Sequence, residues 1–533
     1  MVTLKSLLAS TALLAATYAR NTLPLPSTSL STRQHPTNPS NSTIKLQLYP
    51  PSDKSWRPVD IYLAKLSEVN TTSGSGIVHD TSFAYFDFSG TVSIRVIYDT
   101  GVINNATVRP YSYNIAPQIQ GHGKNRNTLT FSLSQPRNLV IQVNEQVFDA
   151  LHLFAGAIET DVPSEDDPDV IYFGPGIHNM SSTGGLLQVP SGKTVYIAGG
   201  GVLTARVNFT NVKNSSLRGH GVIYNSNGGA VTVVSSTNIT VSGITALNPN
   251  GYALTAGQAK DLTISDFKSF SSKGNGDGID VFSSQNVLIT NIFMRNSDDC
   301  VALYNHRWDY YGNTSNITVQ DSSLWADVAH PINVGTHGNS DNPETMDGLV
   351  FKNIDILDHR EPQMLYQGCI ALNPGDSNLI QNVLIEDIRV EDFREGQLVN
   401  FRVMYNTKYN TSPGRGIRNV TVRNMRYEGT RANPSIFEGY DDERSIDGVR
   451  FEGLVINGKG IADQMKKPTW YLASDFVPMF ANDHTKNLLD MAIWEGFIMN
   501  EYLLTKASRQ RRAYRDWNGL QYAVKHMHED SDL

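Results

Sequence analysis

Residues 238–243 read NITVSG, and the same phrase returns as DLTISD at 261–266 and NVLITN at 286–291. Each copy sets apolar residues two apart, so one side of an extended strand faces a core and the other faces outward. Looser copies begin at Asn214 (NSSLRG), Asn316 (NITVQD), Gly348 (GLVFKN), Asn382 (NVLIED), Asn419 (NVTVRN) and Gly448 (GVRFEG). Their starts are separated by 24, 23, 25, 30, 32, 34, 37 and 29 residues. A helical repeat would need apolar residues every three to four positions, and they are absent. Strand alternation on a drifting period predicts stacked coils whose corners accept insertions, a parallel β-helix with coils about 4.8 Å apart. Its span is 166–465. The insertions lengthen after Asn286, which places long loops, and so cleft walls, on one side.

Residues 44–165 have a different texture. Short runs such as IKLQLYP, SIRVIYD, TLTFSL and NLVIQV alternate with Gly, Asn and Pro punctuation, which predicts an antiparallel β-sandwich. The fold class expected is therefore all-β, a parallel β-helix solenoid preceded by a small β-sandwich. Ahead of it, residues 1–19 carry Lys5, an apolar run to Ala16 and a small-residue exit at Ala19, the pattern of a signal peptide. Residues 20–43 are Pro-, Ser- and Thr-rich and read as a linker. The C-terminal extension, 466–533, has helix-like composition with a basic centre at Arg509, Arg511 and Arg512. It is a helical appendage or a partner-binding helix.

Composition narrows the partners. The 533 residues carry a net charge of -8 without a block of like charge, which argues against nucleic acid. No later stretch approaches the roughly 18 apolar residues of a membrane helix, so the expectation is a secreted, extracellular monomer. Eleven Asn-x-Ser/Thr sequons, at Asn41, Asn70, Asn105, Asn179, Asn208, Asn214, Asn238, Asn313, Asn316, Asn410 and Asn419, agree with export. With two cysteines, Cys300 and Cys369, a disulfide scaffold and a cysteine-rich metal site are excluded.

The chemistry-bearing residues fall on adjacent coils. GNGDGIDVF holds Asp277 and Asp280, and RNSDDCVALY holds Asp298 and Asp299. Asp277 and Asp298 are 21 residues apart, close to one coil, so three carboxylates can converge. Neighbouring strand residues point to opposite faces, so Asp298 and Asp299 share a cleft only if the chain bends there. Solenoid corners also use Asp to cap backbone groups, and that structural role competes with a chemical one. Hydrolysis of a glycosidic bond gives a reason to gather carboxylates. One acid protonates the leaving oxygen, and an opposed carboxylate, about 6.5–9.5 Å away in an inverting enzyme, activates water. Crowding like charges raises one pKa and keeps that acid protonated.

GDGIDV followed by SDDCVAL resembles the signatures of the polygalacturonase (pectinase) family, right-handed parallel β-helix hydrolases of the pectin-lyase-like type. The resemblance implies Asp298 as general acid, Asp277 with Asp299 as the pair holding the water, His330 in VAHPINVG as the histidine that tunes or orients the acid, inversion, and neither cofactor nor metal. Asp280 matches a position read as structural. His122 and His220, each in Gly-His-Gly, precede the carboxylates and are out of register, and His337 is a looser candidate. Two departures stand out. The family's later Arg-x-Lys, which binds a sugar carboxylate, is replaced by QGCIALN, leaving Arg360 and Arg402 as substitutes from a loop or the following coil. The family's disulfide partner for Cys300 is missing. Aligning DCVALY, HPINVG and GCIALN puts Cys369 two coils away, about 9.6 Å, beyond the roughly 7 Å reach of a disulfide, so both thiols are expected free and buried.

The two-domain plan is also similar to the dextranase and isopullulanase family, whose substrates are neutral α-glucans. The aromatic insertion YNHRWDYYGN, with Tyr304, Trp308, Tyr310 and Tyr311, is placed to overhang the cleft, Trp308 and Tyr310 serving as sugar platforms or as plain loop packing. The partner expected is a polysaccharide or oligosaccharide with α-linkages. A non-catalytic carbohydrate-binding solenoid and a polysaccharide lyase are the competing readings.

Overall fold

Both end letters of the repeated phrase have a conformational cause. At the first letter, Asn214, Asn238, Asp261, Asn286, Asn316, Asn382 and Asn419 adopt φ between 51° and 56°. At the last, Asp266, Asn291, Asp321, Asn353, Asp387 and Asn424 adopt φ between 52° and 55°. This left-handed region admits Asn and Asp more readily than other side chains and Gly freely, and Gly indeed replaces them at 348 and 448. The phrase is thus one strand between two sharp corners. The corner amides then stack coil on coil: Asn238 Nδ2 donates to Asn214 Oδ1 at 2.8 Å, Asn286 to Asp261 at 2.8 Å and Asn316 to Asn286 at 3.2 Å.

The computed structural model describes residues 42–49, 55–69, 76–461 and 479–491. The phrases lie on strands of one parallel ladder, among them Thr237–Ser242, Lys260–Ser265, Gln285–Thr290 and the longer Thr314–Ala326 and Thr345–Asp358. A second series, including Thr245–Leu247, Lys268–Phe270 and Phe293–Asn296, is joined to it. The third face is a separate ladder that runs from Leu186–Gln188 to Met479–Ala481. Together these faces wind a right-handed parallel β-helix. Its interior is an aliphatic stack in which Val231, Leu254, Ile279, Val301, Ile332, Ile370 and Val399 follow one another. The strand Thr485–Met491 still pairs with Ile446–Glu452, so the solenoid continues past residue 465. The signal-like stretch and the basic helix-like segment lie outside the described residues.

Two sheets form the N-terminal sandwich around Leu46, Ile94, Val96, Phe86, Ile141 and Leu153. All pairings are antiparallel except that of Gly76–Phe88 with Ala150–Ala157, which is parallel. The second sheet turns its outer face to the solenoid. Tyr62, Phe83 and Phe154 cover a ladder of outward apolar residues, Val202, Val222, Leu247, Phe270, Phe293, Trp325 and Leu357. Two ion pairs stand in this interface: Arg109 Nε is 2.5 Å from Glu391 Oε2, and Arg295 Nε lies 3.1 Å from Asp327 Oδ2. The sandwich therefore closes one flank of the solenoid and leaves the third face free to carry a site.

Candidate active site

The third face presents an outward row through its strand centres: Thr255, Asp280, Ala302, Asn333, Ala371 and Asn400 on successive coils. Just ahead of these strands lie Asp277, Asp299 and His330. Backbone hydrogen bonds from Ala253 to Asp277, Gly278 to Asp299 and Cys300 to His330 continue the ladder through them. Asp298 and Asp299 occupy the bend between Phe293–Asn296 and Val301–Tyr304, which is how adjacent side chains reach one cleft.

Asp277, Asp298 and Asp299 each offer an oxygen within 4.8 Å of the others. That is tighter than the separation of about 6.5–9.5 Å expected for opposed inverting carboxylates. Asp280 belongs to the same cluster. It is buried, both its carboxylate oxygens lack a hydrogen-bond partner, and the charges of Asp298 and Asp299 act on it. A structural aspartate would be hydrogen-bonded, so the sequence reading of Asp280 as a scaffold residue finds no support in its contacts.

The environments push these carboxyls apart. Burial and then the neighbouring Asp280 hold Asp277 well above the usual range, and burial with the charge of Asp299 does the same to Asp280. For Asp298, burial followed by the charge of Asp299 pushes the pKa up to about 7. Asp299 goes the other way. Burial works against its charge, but the His330 cation and hydrogen bonds from His330 and Asn333 hold it below the ordinary carboxylate value. His330 Nδ1 is 2.7 Å from Asp299 Oδ1, and its backbone N–H donates to the same oxygen at 3.0 Å. Asn333 Nδ2 at 2.7 Å and Tyr304 Oη at 3.3 Å both donate to Oδ2. The sequence expectation attached His330 to Asp298; its hydrogen bonds run to Asp299, because the coil register sets the histidine directly beside that residue.

Three oxygens this close could also surround a hard divalent cation, whose oxygen ligands lie at about 2.3–2.6 Å. Asp299 fits that role poorly, since four hydrogen-bond donors already occupy its two oxygens and a cation would have to displace them.

The expected sugar-binding residues separate. Trp308 is 52% exposed and stacks on Tyr252 with ring centroids 5.9 Å apart. Tyr310 packs where a Cβ on Gly257 would meet its ring at 2.6 Å, so only glycine admits it there. Arg402 stands on the cleft floor three coils beyond Asp299; its Nε has no partner, and it forms no ion pair among the described residues. Arg360 is elsewhere. Its Nη1 donates to the Val69 carbonyl at 2.7 Å and braces the sandwich, which removes it from the cleft. Sequence reasoning passed over three neighbours. Arg307, inside the aromatic insertion, acts electrostatically on Asp280 and His337. Tyr366 meets His330 edge-on at 4.6 Å, and Tyr409 stacks on Tyr366 at 5.8 Å. A basic residue amid sugar-platform aromatics was the available signal for Arg307; the two tyrosines lie in loops with no distinguishing pattern.

Of the other histidines, two sit apart and one borders the cleft. His220 pairs with Asp87 of the sandwich at 2.7 Å, His122 is exposed, and His337 packs edge-on against Tyr304 at 5.0 Å with its pKa lowered to about 4, chiefly by burial. Cys300 and Cys369 are buried and unbonded.

The third face of a right-handed β-helix thus gathers buried carboxylates at the head of consecutive strands. Residues 194–471 match the family described as glycosyl hydrolases family 28, and the chain belongs to that family. Probable endopolygalacturonase D of Emericella nidulans is 25% identical over 186 residues, 34% of this chain and 33% of that protein. Probable endo-xylogalacturonan hydrolase A of Neosartorya fischeri is 31% identical over 199 residues, 33% of this chain and 46% of that protein. The matched stretch spans less than half the length of these relatives. Among solved structures, Dex49A from Penicillium minioluteum shares the fold at a TM-score of 0.54 and 13% identity, over 81% of this chain and 91% of its own.

Proposed function

We propose that the protein is an exported hydrolase of α-linked, polygalacturonase-type polysaccharides that works by direct displacement with inversion. The observation that carries this reading is the opposite shift of two adjacent carboxyls, Asp298 up to about 7 and Asp299 down. At mildly acidic pH the first is a proton donor and the second a charged group, the division of labour that glycosidic cleavage requires. Asp298 gives its proton to the leaving glycosidic oxygen as the bond to the anomeric carbon breaks. A water held between Asp299 and Asp277, whose Oδ1 has no protein partner, adds to that carbon and passes its proton to the pair. The oxygens of the cluster lie within 4.8 Å of one another, nearer the spacing of about 5–5.5 Å of retaining enzymes than that of inverting ones, so the anomer of the first product decides whether Asp299 holds the water or attacks.

On this reading Arg402 takes the place of the missing Arg-x-Lys and faces a uronate carboxylate. A second reading, a neutral α-glucan as substrate, is favoured by the segment QGCIALN at 367–373, which offers no cation where the Arg-x-Lys would stand.

Reducing-sugar release from polygalacturonate, rhamnogalacturonan, dextran, pullulan and arabinan tests the proposal and chooses between these substrates. Asp298→Asn should lower turnover by roughly a hundredfold or more, the usual worth of a positioned acid. Proton NMR of the first product anomer tests inversion, and ultraviolet absorbance of an unsaturated product would instead identify a lyase. A folded protein inactive on all five glycans would sink the hydrolase reading.

A further inference from the structure

The insertion after the acid pair folds backward, toward lower-numbered coils. Both its stems are clamped by one buried carboxylate: His306 N donates to Glu344 Oε2 at 2.9 Å and Gly312 N to Glu344 Oε1 at 2.6 Å. Paired backbone hydrogen bonds between Arg307 and Tyr310, at 3.1 and 3.0 Å, tighten its tip. Thus held, Tyr310 stacks on Phe282 at 5.9 Å, and Gln258 Nε2 donates to the Tyr311 carbonyl at 3.0 Å.

Trp308 decides what this does to the cleft. Phe282 ends the strand Ile279–Phe282 and marks one edge of the floor; Tyr252, just ahead of Leu254–Gly257 and one coil before Asp277, marks the other. The Trp308 ring meets Tyr252 face to face at 5.9 Å and Phe282 edge-on at 5.5 Å. The indole therefore spans the floor from edge to edge, immediately upstream of Asp277 and Asp280. On the other side of the acids the floor continues through Asn333, Ala371 and Asn400 toward the exposed rings of Tyr405 and Tyr440. A cavity of about 530 Å³ lined by Arg307, Trp308, His337 and Asp376 opens beside this bridge. Arg307 forms no ion pair among the described residues; its guanidinium lies 5.1 Å from the Trp308 ring and hydrogen-bonds Tyr252, while its Nε has no partner.

We propose that the cleft is a dead end closed by the Tyr252–Trp308–Phe282 bridge, so that the protein takes a chain terminus against Trp308, with Arg307 holding the terminal sugar, and removes short units from that end. This rests on the hydrolase reading and differs from the endo action stated in the names of the two fungal relatives. A polymer lying across the acids would have to pass through the indole. A chain that enters from the His330 side meets the bridge one or two sugar lengths beyond the bond being cut.

The test follows viscosity and product size together on whichever glycan the screen selects. The wild-type protein should yield monomer or dimer from the first time point while viscosity stays nearly constant. Rapid viscosity loss with a spread of medium oligomers would overturn the inference and leave the hydrolase reading intact; no release from any glycan would overturn both. Trp308→Gly combined with Tyr310→Ala should open the blocked end and give internal cuts, seen as a viscosity drop at equal sugar release. If that folded variant still gives only monomer or dimer, the bridge is not the barrier. Arg307→Ala should raise KM for short oligomers roughly tenfold, as loss of a charge-assisted contact would, with kcat changed less; an unchanged KM would remove Arg307 from the terminal subsite.

Discussion

His330 Nδ1 stands 2.7 Å from Asp299 Oδ1, and the peptide N–H of the same histidine donates to the same oxygen at 3.0 Å. One residue thus supplies both a charge and a fixed dipole to a single carboxylate oxygen. The pairing keeps Asp299 ionised in a buried cluster where its three neighbours, Asp277, Asp280 and Asp298, all hold protons more tightly than usual.

This arrangement dictates a pH profile. If Asp298 is the proton donor, as proposed, its acid form is needed, and its pKa of about 7 means that activity falls as pH rises through about 7, tenfold per unit beyond it. On the same proposal Asp299 acts charged, and its lowered pKa carries the acidic limb below the ordinary carboxylate range. The expected kcat/KM profile is flat through mildly acidic pH with its alkaline limb near 7. A limb near the ordinary value for an exposed carboxylate would contradict the assignment of Asp298.

Replacing His330 by alanine removes the cation from Asp299 while burial remains. The Asp299 pKa should then rise, moving the acidic limb of the profile upward. Loss of a charged hydrogen bond, about 1.5–3 kcal/mol, corresponds to a fall in kcat of roughly 10- to 100-fold. A merely structural histidine would lower the folded yield and leave the shape of the profile unchanged, so the limb is the measurement that matters.

Arg402 separates the two substrate readings. Arg402→Ala should raise KM on polygalacturonate by roughly tenfold or more, the cost of losing a charge-assisted contact, while leaving KM on a neutral glycan within about twofold. Steady-state kinetics on both polymers checks this. Equal effects on the two would make the arginine a packing residue.

The seam between sandwich and solenoid should be fragile at Arg109. Its Nε pairs with Glu391 at 2.5 Å, and the other Glu391 oxygen accepts from Tyr111 N at 2.6 Å. Arg109→Ala strands a buried carboxylate, which typically costs about 3–5 kcal/mol. Calorimetry should show a clearly lower Tm, with Arg109→Ala, Glu391→Leu recovering part of it. An unshifted Tm in the single variant would mean that the seam does not depend on this pair.

Much of the molecule was written in local sequence. The alternating phrase from Asn214 to Gly448 specified strands and their repeat, because left-handed corners select Asn, Asp and Gly and an inward row selects aliphatic residues. The same locality located Asp277, Asp298 and Asp299, since coil length converts a spacing of 21 residues into neighbouring rungs. What the tertiary structure decided depends on groups far apart in the chain. The partner of His330 followed from coil register, the fate of Arg360 from a sandwich carbonyl at Val69, and the place of Asp280 in the acid cluster from its register beside Ala302. The direction in which the aromatic insertion folds was set by Glu344, more than thirty residues downstream of it. A repeat records its own geometry in every copy, whereas a loop's course and a carboxylate's charge depend on whichever distant residues the completed fold brings against them.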